Sequence, residues 1–145
     1  MQYRELGRTG LKVSEIGLGC EGFVDNEGKF TKALLDTAEQ NGVNYFDLYQ
    51  PNPEVHKALG QALAGRRDKF VIQAHLCTVW ENGQYERTRN LAKVKTAFTN
   101  LLKNLQTDHI DVGMIHYIDA LPDWQEVEAQ GVLDYALSLK KAGTV

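Results

Sequence analysis

Val43-Asn44-Tyr45-Phe46-Asp47-Leu48-Tyr49 is followed by Gln50-Pro51 and then by Asn52-Pro53-Glu54-Val55-His56-Lys57-Ala58-Leu59-Gly60-Gln61-Ala62-Leu63-Ala64-Gly65. The first run is rich in residues that favour strands and carries one acid, Asp47. The second run opens like a helix: Asn52 suits the N-cap, Pro53 the first helical position and Glu54 the positive end of the helix dipole. Val55, Leu59, Ala62 and Leu63 recur as one apolar stripe, and Gly65 ends it. A strand leading straight into a helix is the repeating unit of a parallel sheet.

The same alternation extends in both directions. Downstream, Phe70–Leu76 reads as a strand, a polar loop follows, and Val94, Ala97, Phe98, Leu101, Leu102 and Leu105 mark a helix by their three- and four-residue spacing. Ile110–Tyr117 reads as a fourth strand, and a last helix spans about 132–141 with Ala142-Gly143 as its cap. Upstream, Ile16–Cys20 is a short first core strand, Asp25–Gly28 a loop, and a helix runs from Thr31 as N-cap to Asn41, with Gly42 in the left-handed position. Residues 2–16 read as strand, glycine-bounded turn and strand, a small hairpin. Residues 1–145 are thus expected to form one domain, a hairpin and four βα units. Successive βα units predict parallel strands with right-handed crossovers, and an open doubly wound sheet and part of a barrel both fit that pattern.

Composition narrows the function classes. The chain has 145 residues, 43% hydrophobic and 24% charged, with a net charge of −3. Its positive charges are scattered, so no nucleic-acid surface is expected. No apolar run approaches the roughly 20 residues of a membrane span, and Met1–Glu5 has no apolar signal core, so a cytoplasmic chain is expected. Two cysteines, Cys20 and Cys77, with no C-x-x-C pair, argue against a disulfide scaffold or a cysteine-built metal site.

Two patterns bear on chemistry. Gly17-Leu18-Gly19-Cys20-Glu21-Gly22 matches G-x-G-x-x-G, but the expected helix begins well beyond the glycines, so a tight strand exit is the better reading. More telling are Asp47, His75 and His116, each near the C-terminal end of a strand. Any one of them alone is more simply a hydrogen-bonded core residue or a loop cap. Three in successive units converge on one mouth if their strands are neighbours, and catalytic groups gather at that end of parallel βα folds.

Those residues also carry a resemblance. Gly7-Arg8-Thr9-Gly10-Leu11-Lys12-Val13-Ser14 with Ile16-Gly17-Leu18-Gly19, then Asn44-Tyr45-Phe46-Asp47, then Thr107-Asp108-His109-Ile110-Asp111 through Ile115-His116-Tyr117, resemble the aldo-keto reductases over the whole chain. The resemblance implies a (β/α) barrel of eight strands, of which this chain has the first four, and NADPH-dependent reduction of a carbonyl. It implies that Asp47 is the active-site acid and His116 the substrate-orienting histidine. The family's lysine falls at His75 and its tyrosine at Asn52, so two of four catalytic positions are substituted. Asn52 has the competing task of capping a helix. Tyr49, two residues beyond Asp47 and pointing the same way, is an alternative acid, as is a protonated His75. Asp47-Leu48-Tyr49-Gln50-Pro51-Asn52-Pro53-Glu54 with His75 is similar to a bacterial branch of the family.

For NADP(H), the resemblance leaves only Gly19, Cys20, Glu21 and Asp47 to meet the nicotinamide end, so weak binding and little turnover are expected of the chain alone. Two bare sheet edges and an apolar inner face are expected to drive self-association or pairing with a complementing fragment. The alternative to an oxidoreductase is a non-catalytic half-barrel assembly or binding module. His75, Cys77, His116 and Asp47 are zinc-type ligands, but such coincidences on two strands are common and no metal is expected.

Overall fold

The computed structural model describes residues 1–23 and 29–145. A hairpin opens the chain, β1 (Tyr3–Glu5) pairing antiparallel with β2 (Lys12–Ser14) so that Tyr3 faces Ser14. Then come β3 (Gly17–Gly19), α1 (Lys29–Gln40), β4 (Tyr45–Leu48), α2 (Pro53–Leu63), a 3-10 turn (Arg67–Lys69) and β5 (Val71–Leu76). The rest is β6 (Thr78–Glu81), β7 (Gln84–Arg87), α3 (Leu91–Leu105), β8 (Val112–Ile115), α4 (Leu121–Ala129) and α5 (Val132–Ala142).

β3, β4, β5 and β8 form one parallel sheet in that order. No strand is skipped, as in a barrel wall and unlike a sheet wound outward from its centre. The register Gly19↔Asp47↔Gln73↔Val112 makes the strand ends coincide.

Alternation separates the two faces. Phe46, Leu48, Ile72, Ala74 and Leu76 point to the helices and are buried with Leu35, Val55, Leu59, Val94, Phe98 and Leu101. Phe46 and Phe70 meet edge-to-face at 5.1 Å. α2 and α3 approach closely at Gly60, where a Cβ would stand 2.6 Å from the carbonyl oxygen of Asn104.

The opposite face overturns the expectation of an apolar inner surface. Tyr45 donates to Gln73 Oε1, Gln73 Nε2 donates to Asp47 Oδ1 at 3.0 Å, and His75 follows two residues on. Polar side chains bonded across β4 and β5 line this face, and Met114 of β8 is a large hydrophobic exposed on it.

Two further expectations are corrected. Thr31 is not an N-cap but lies within the first turn of α1, which starts at Lys29, and its side chain is buried. The expected loop 25–28 lies outside the described residues. Most of the polar loop after β5 is the β6–β7 hairpin, closed by Asn82 and Gly83, both at positive φ as a two-residue primed turn requires. α4 was not legible at all; Asp123 Oδ2 secures its start by accepting from the backbone of Asp119 (3.2 Å) and Ala120 (2.9 Å). No helix among the described residues is long and apolar enough to cross a membrane.

Candidate active site

The register of the parallel sheet brings the strand-end residues together. Asp47 Oδ1 is 2.8 Å from His75 Nε2. The His75 and His116 rings lie 4.5 Å apart at 66°. His75 is on the polar face of β5; His116 follows β8, its backbone N–H donating to Leu76 O at 3.2 Å. Tyr49, just past β4, places its ring 6.4 Å from His75 and 6.1 Å from His116. Tyr85 of β7 stands 6.0 Å from Tyr49 and 6.2 Å from Tyr117, so the hairpin missed in the sequence forms one wall of the mouth.

Hydrogen bonding separates the roles open to these groups. The Tyr49 hydroxyl donates to Glu21 Oε1 at 3.0 Å, and that bond, helped by partial burial, pushes its pKa up. Burial, reinforced by neighbouring His75, lowers the pKa of His116, with Asp47 opposing. Nδ1 of His75 and Nδ1 of His116 are both buried without a hydrogen-bond partner among the described residues. Buried polar atoms are nearly always paired, so two unpartnered ring nitrogens in one cluster mark a place where a ligand or water completes the bonding.

Asn52 sits elsewhere: its Oδ1 accepts from the backbone of Glu54 at 3.0 Å, capping α2. Gly19 has open space at its Cβ position, and Glu21 is exposed. Cys20 differs, because its thiol is buried in the core and its backbone N–H donates to Asp47 O at 2.9 Å. Burial pushes that thiol far above the ordinary range. Cys77 likewise turns into the apolar cluster, and among the described residues no group of three His, Cys, Asp or Glu side chains is placed to hold a metal ion. A hollow of about 450 Å³ between α2, α3 and β6 is walled by Trp80 and Phe98 among others, and its lining reaches His75 and Cys77 at the end of β5.

Arg89 gave no signal in the sequence. It is buried between β7 and α3 and donates through Nη1 to His116 O at 2.7 Å and through Nη2 to Tyr117 O.

An acid and two imidazoles gathered where neighbouring parallel strands end define a chain of the (β/α)-barrel class with its polar site at the C-terminal mouth. Comparison with known proteins gives the family. The Aldo/keto reductase family profile matches residues 15–145, and the chain belongs to that family. It is 34% identical to the uncharacterized oxidoreductase YrpG of Bacillus subtilis over 99% of this chain and 50% of that protein. Aldo-keto reductase YhdN of the same organism is 31% identical over 87% of this chain and 41% of its own length. Among solved structures, the holo form of aldo-keto reductase AKR11C1 from Bacillus halodurans superposes with a TM-score of 0.78 at 29% identity, covering 99% of this chain and 48% of that one. PA4992 from Pseudomonas aeruginosa gives 0.83 at 29%, covering 98% and 56%. The chain therefore spans about half the length of the relatives it matches, and its hairpin and four parallel strands correspond to half of their barrel.

Proposed function

We propose that this chain supplies the proton-handling half of a carbonyl reductase site, with His75 in the place of the general acid. The observation that carries the reading is the 2.8 Å contact between His75 Nε2 and Asp47 Oδ1 with the His116 ring beside it. A carboxylate at one ring nitrogen fixes the tautomer and orientation of an imidazole. As the imidazolium, the ring would also carry a proton at Nδ1, which a developing alkoxide would take to leave neutral His75 with Nε2–H on Asp47. His116, kept neutral by burial and by His75, suits hydrogen bonding to the carbonyl oxygen rather than proton transfer. Tyr49 is the weaker acid, since its hydroxyl is bonded to a carboxylate that raises its pKa.

NADP(H), when bound, supplies the hydride. The residues present fit its nicotinamide end: open space at Gly19, the half-exposed Asp47 carboxylate and the unpartnered imidazole nitrogens. For the phosphate end this mouth offers little, because Arg89 is bound to backbone carbonyls and Arg87 lies over the Tyr117 ring at 5.4 Å. Weak cofactor binding by the chain alone follows.

The test is oxidation of NADPH with simple aldehydes, by the chain alone and with the second half of a relative's barrel supplied as a separate fragment. Negligible turnover is expected alone. In the mixture turnover is expected, falling at least about 100-fold in His75→Leu and Asp47→Asn. No turnover even in the mixture overturns the reading.

A second reading concerns association. β3 and β8 each pair on one side only, and Met114 and Ile118 are exposed beside the β8 edge. We propose that a second copy of this chain pairs along β8 and covers these side chains. Sedimentation is expected to show a dimer, and a monodisperse monomer at high concentration overturns it.

A further inference from the structure

We propose that Arg89 is a positioning residue for His116, gripping the chain just past β8 so that the His116 ring stays beside His75. This rests on the reading of His116 as the residue that orients substrate.

Both strands leave the sheet through residues that backbone sterics disfavour. Cys77, directly after β5, has φ +74°, and Tyr117, just after β8, has φ +57°. Neither is glycine, so the surroundings must hold each of them there. The Thr88-Arg89 dipeptide does so for both. Thr88 N–H donates to Cys77 O at 3.0 Å, while Arg89 donates to His116 O at 2.7 Å and also to Tyr117 O. The dipeptide is itself fixed: Asn90 N–H donates to Thr88 Oγ1 at 3.1 Å, and Asn90 Oδ1 accepts from Lys93 N at 3.1 Å to cap α3.

The left-handed turn at Tyr117 lays its ring flat on that of His116, with centroids 4.0 Å apart and planes 4° from parallel. The imidazole is therefore held by Tyr117 on one side and His75 on the other, and Arg89 fixes the peptide that sets the first of these.

Arg89 is only 7% exposed, and among the described residues the partners of its guanidinium are the His116 and Tyr117 carbonyls and the Cys77 side chain. A buried cation without a counter-charge is costly, and a surface linker gains nothing from one. A planar fork that spans two successive carbonyls is what a lysine cannot reproduce. The guanidinium also adds to the forces that keep His116 neutral. The groups facing that ring are His75 and Asp47 from the sheet, Asp119 from the loop after β8, Arg89, and the rings of Tyr49 and Tyr117.

The test is NMR on the 145-residue chain itself, with labelled histidine and tyrosine and no cofactor. In Arg89→Met, the nuclear Overhauser contact between the His116 and Tyr117 rings is expected to be lost and His116 to titrate at higher pH. In Arg89→Lys, charge is kept but the fork is not: the His116 titration should stay near that of the parent while the ring contact still weakens. A folded Arg89→Met with both signals intact overturns the proposal. So does Arg89→Lys with an unaltered ring contact, a result that stands even if Arg89→Met fails to fold. Neither readout depends on turnover, so failure of the reductase reading would appear separately, in the aldehyde assay.

Discussion

At the N-terminal end of the parallel sheet, Arg67 donates to Phe70 O (2.7 Å), His109 O (3.2 Å) and Asp111 Oδ2 (2.7 Å), and that same oxygen accepts from Ile72 N at 2.8 Å. Arg66 beside it donates to Asp36 at 2.6 Å, Glu39 at 2.8 Å and Ala62 O at 2.9 Å. Hydrogen bonds from Lys32 and Arg66 hold the Asp36 carboxyl below its usual range, and those from Lys69 and Arg66 do the same for Glu39. At the C-terminal end, Asp47 and His75 pair, but the Nδ1 atoms of His75 and His116 are buried and without a hydrogen-bond partner among the described residues. Among the described residues Arg66 Nη2 and Arg67 Nε are also unpartnered, yet they carry two and one of five N–H donors, whereas each imidazole forgoes one of its two polar atoms. One end of the sheet is wired to hold strands and helices together. The other carries polar capacity that the fold itself does not use, which is the condition expected of a site.

The contrast is broken most directly at Asp111. Its side chain is 17% exposed and Arg67 beside it 15%. Asp111→Ala removes the acceptor of both Arg67 and the Ile72 amide and leaves a mostly buried guanidinium without its counter-charge. A loss of about 3 kcal/mol in urea unfolding is expected. A loss below about 1 kcal/mol would mean the N-terminal network is surface decoration, and the two ends would no longer differ in kind.

The same contrast explains what the sequence revealed. β4, β5 and α3 were legible because a helix-facing apolar set alternates with or recurs against polar residues, as in Phe46 and Leu48 beside Asp47. Asp47, His75 and His116 were legible because strand ends have no packing use for them. The β6–β7 hairpin was missed although Asn82-Gly83 announces a primed turn; charged Glu81, Glu86 and Arg87 around it masked the alternation. α4 hid because it buries only Val127 and so shows no stripe. Arg89 was invisible for another reason: its partners are the carbonyls of His116 and Tyr117, roughly 27 residues away in sequence, and carbonyl positions leave no trace in residue identity. The polar character of the inner face could have been anticipated, since Tyr45, Asp47, Gln73 and His75 fall at alternate positions of two adjacent strands.

The smallest effect on stability, and the sharpest use of the contrast, is expected at His75 itself. Its side chain is 7% exposed, in contact through Nε2 with Asp47 and, at 3.4 Å, with Gln73 Nε2, and left unpartnered at Nδ1 among the described residues. An unmade buried hydrogen bond costs about 1–3 kcal/mol. His75→Leu removes that penalty and adds apolar burial, at the cost of the bond to Asp47. Asp47 tolerates this loss, being 37% exposed and still bonded to Gln73 Nε2 at 3.0 Å. These contributions nearly cancel, so His75→Leu should unfold within about 1 kcal/mol of the parent, with a tilt toward greater stability. The same substitution removes the acid that the proposed reduction requires. A loss of 2 kcal/mol or more in urea unfolding would show that the histidine belongs to the scaffold. The C-terminal mouth would then be wired like the opposite end, and the unpartnered nitrogens would no longer point to a ligand.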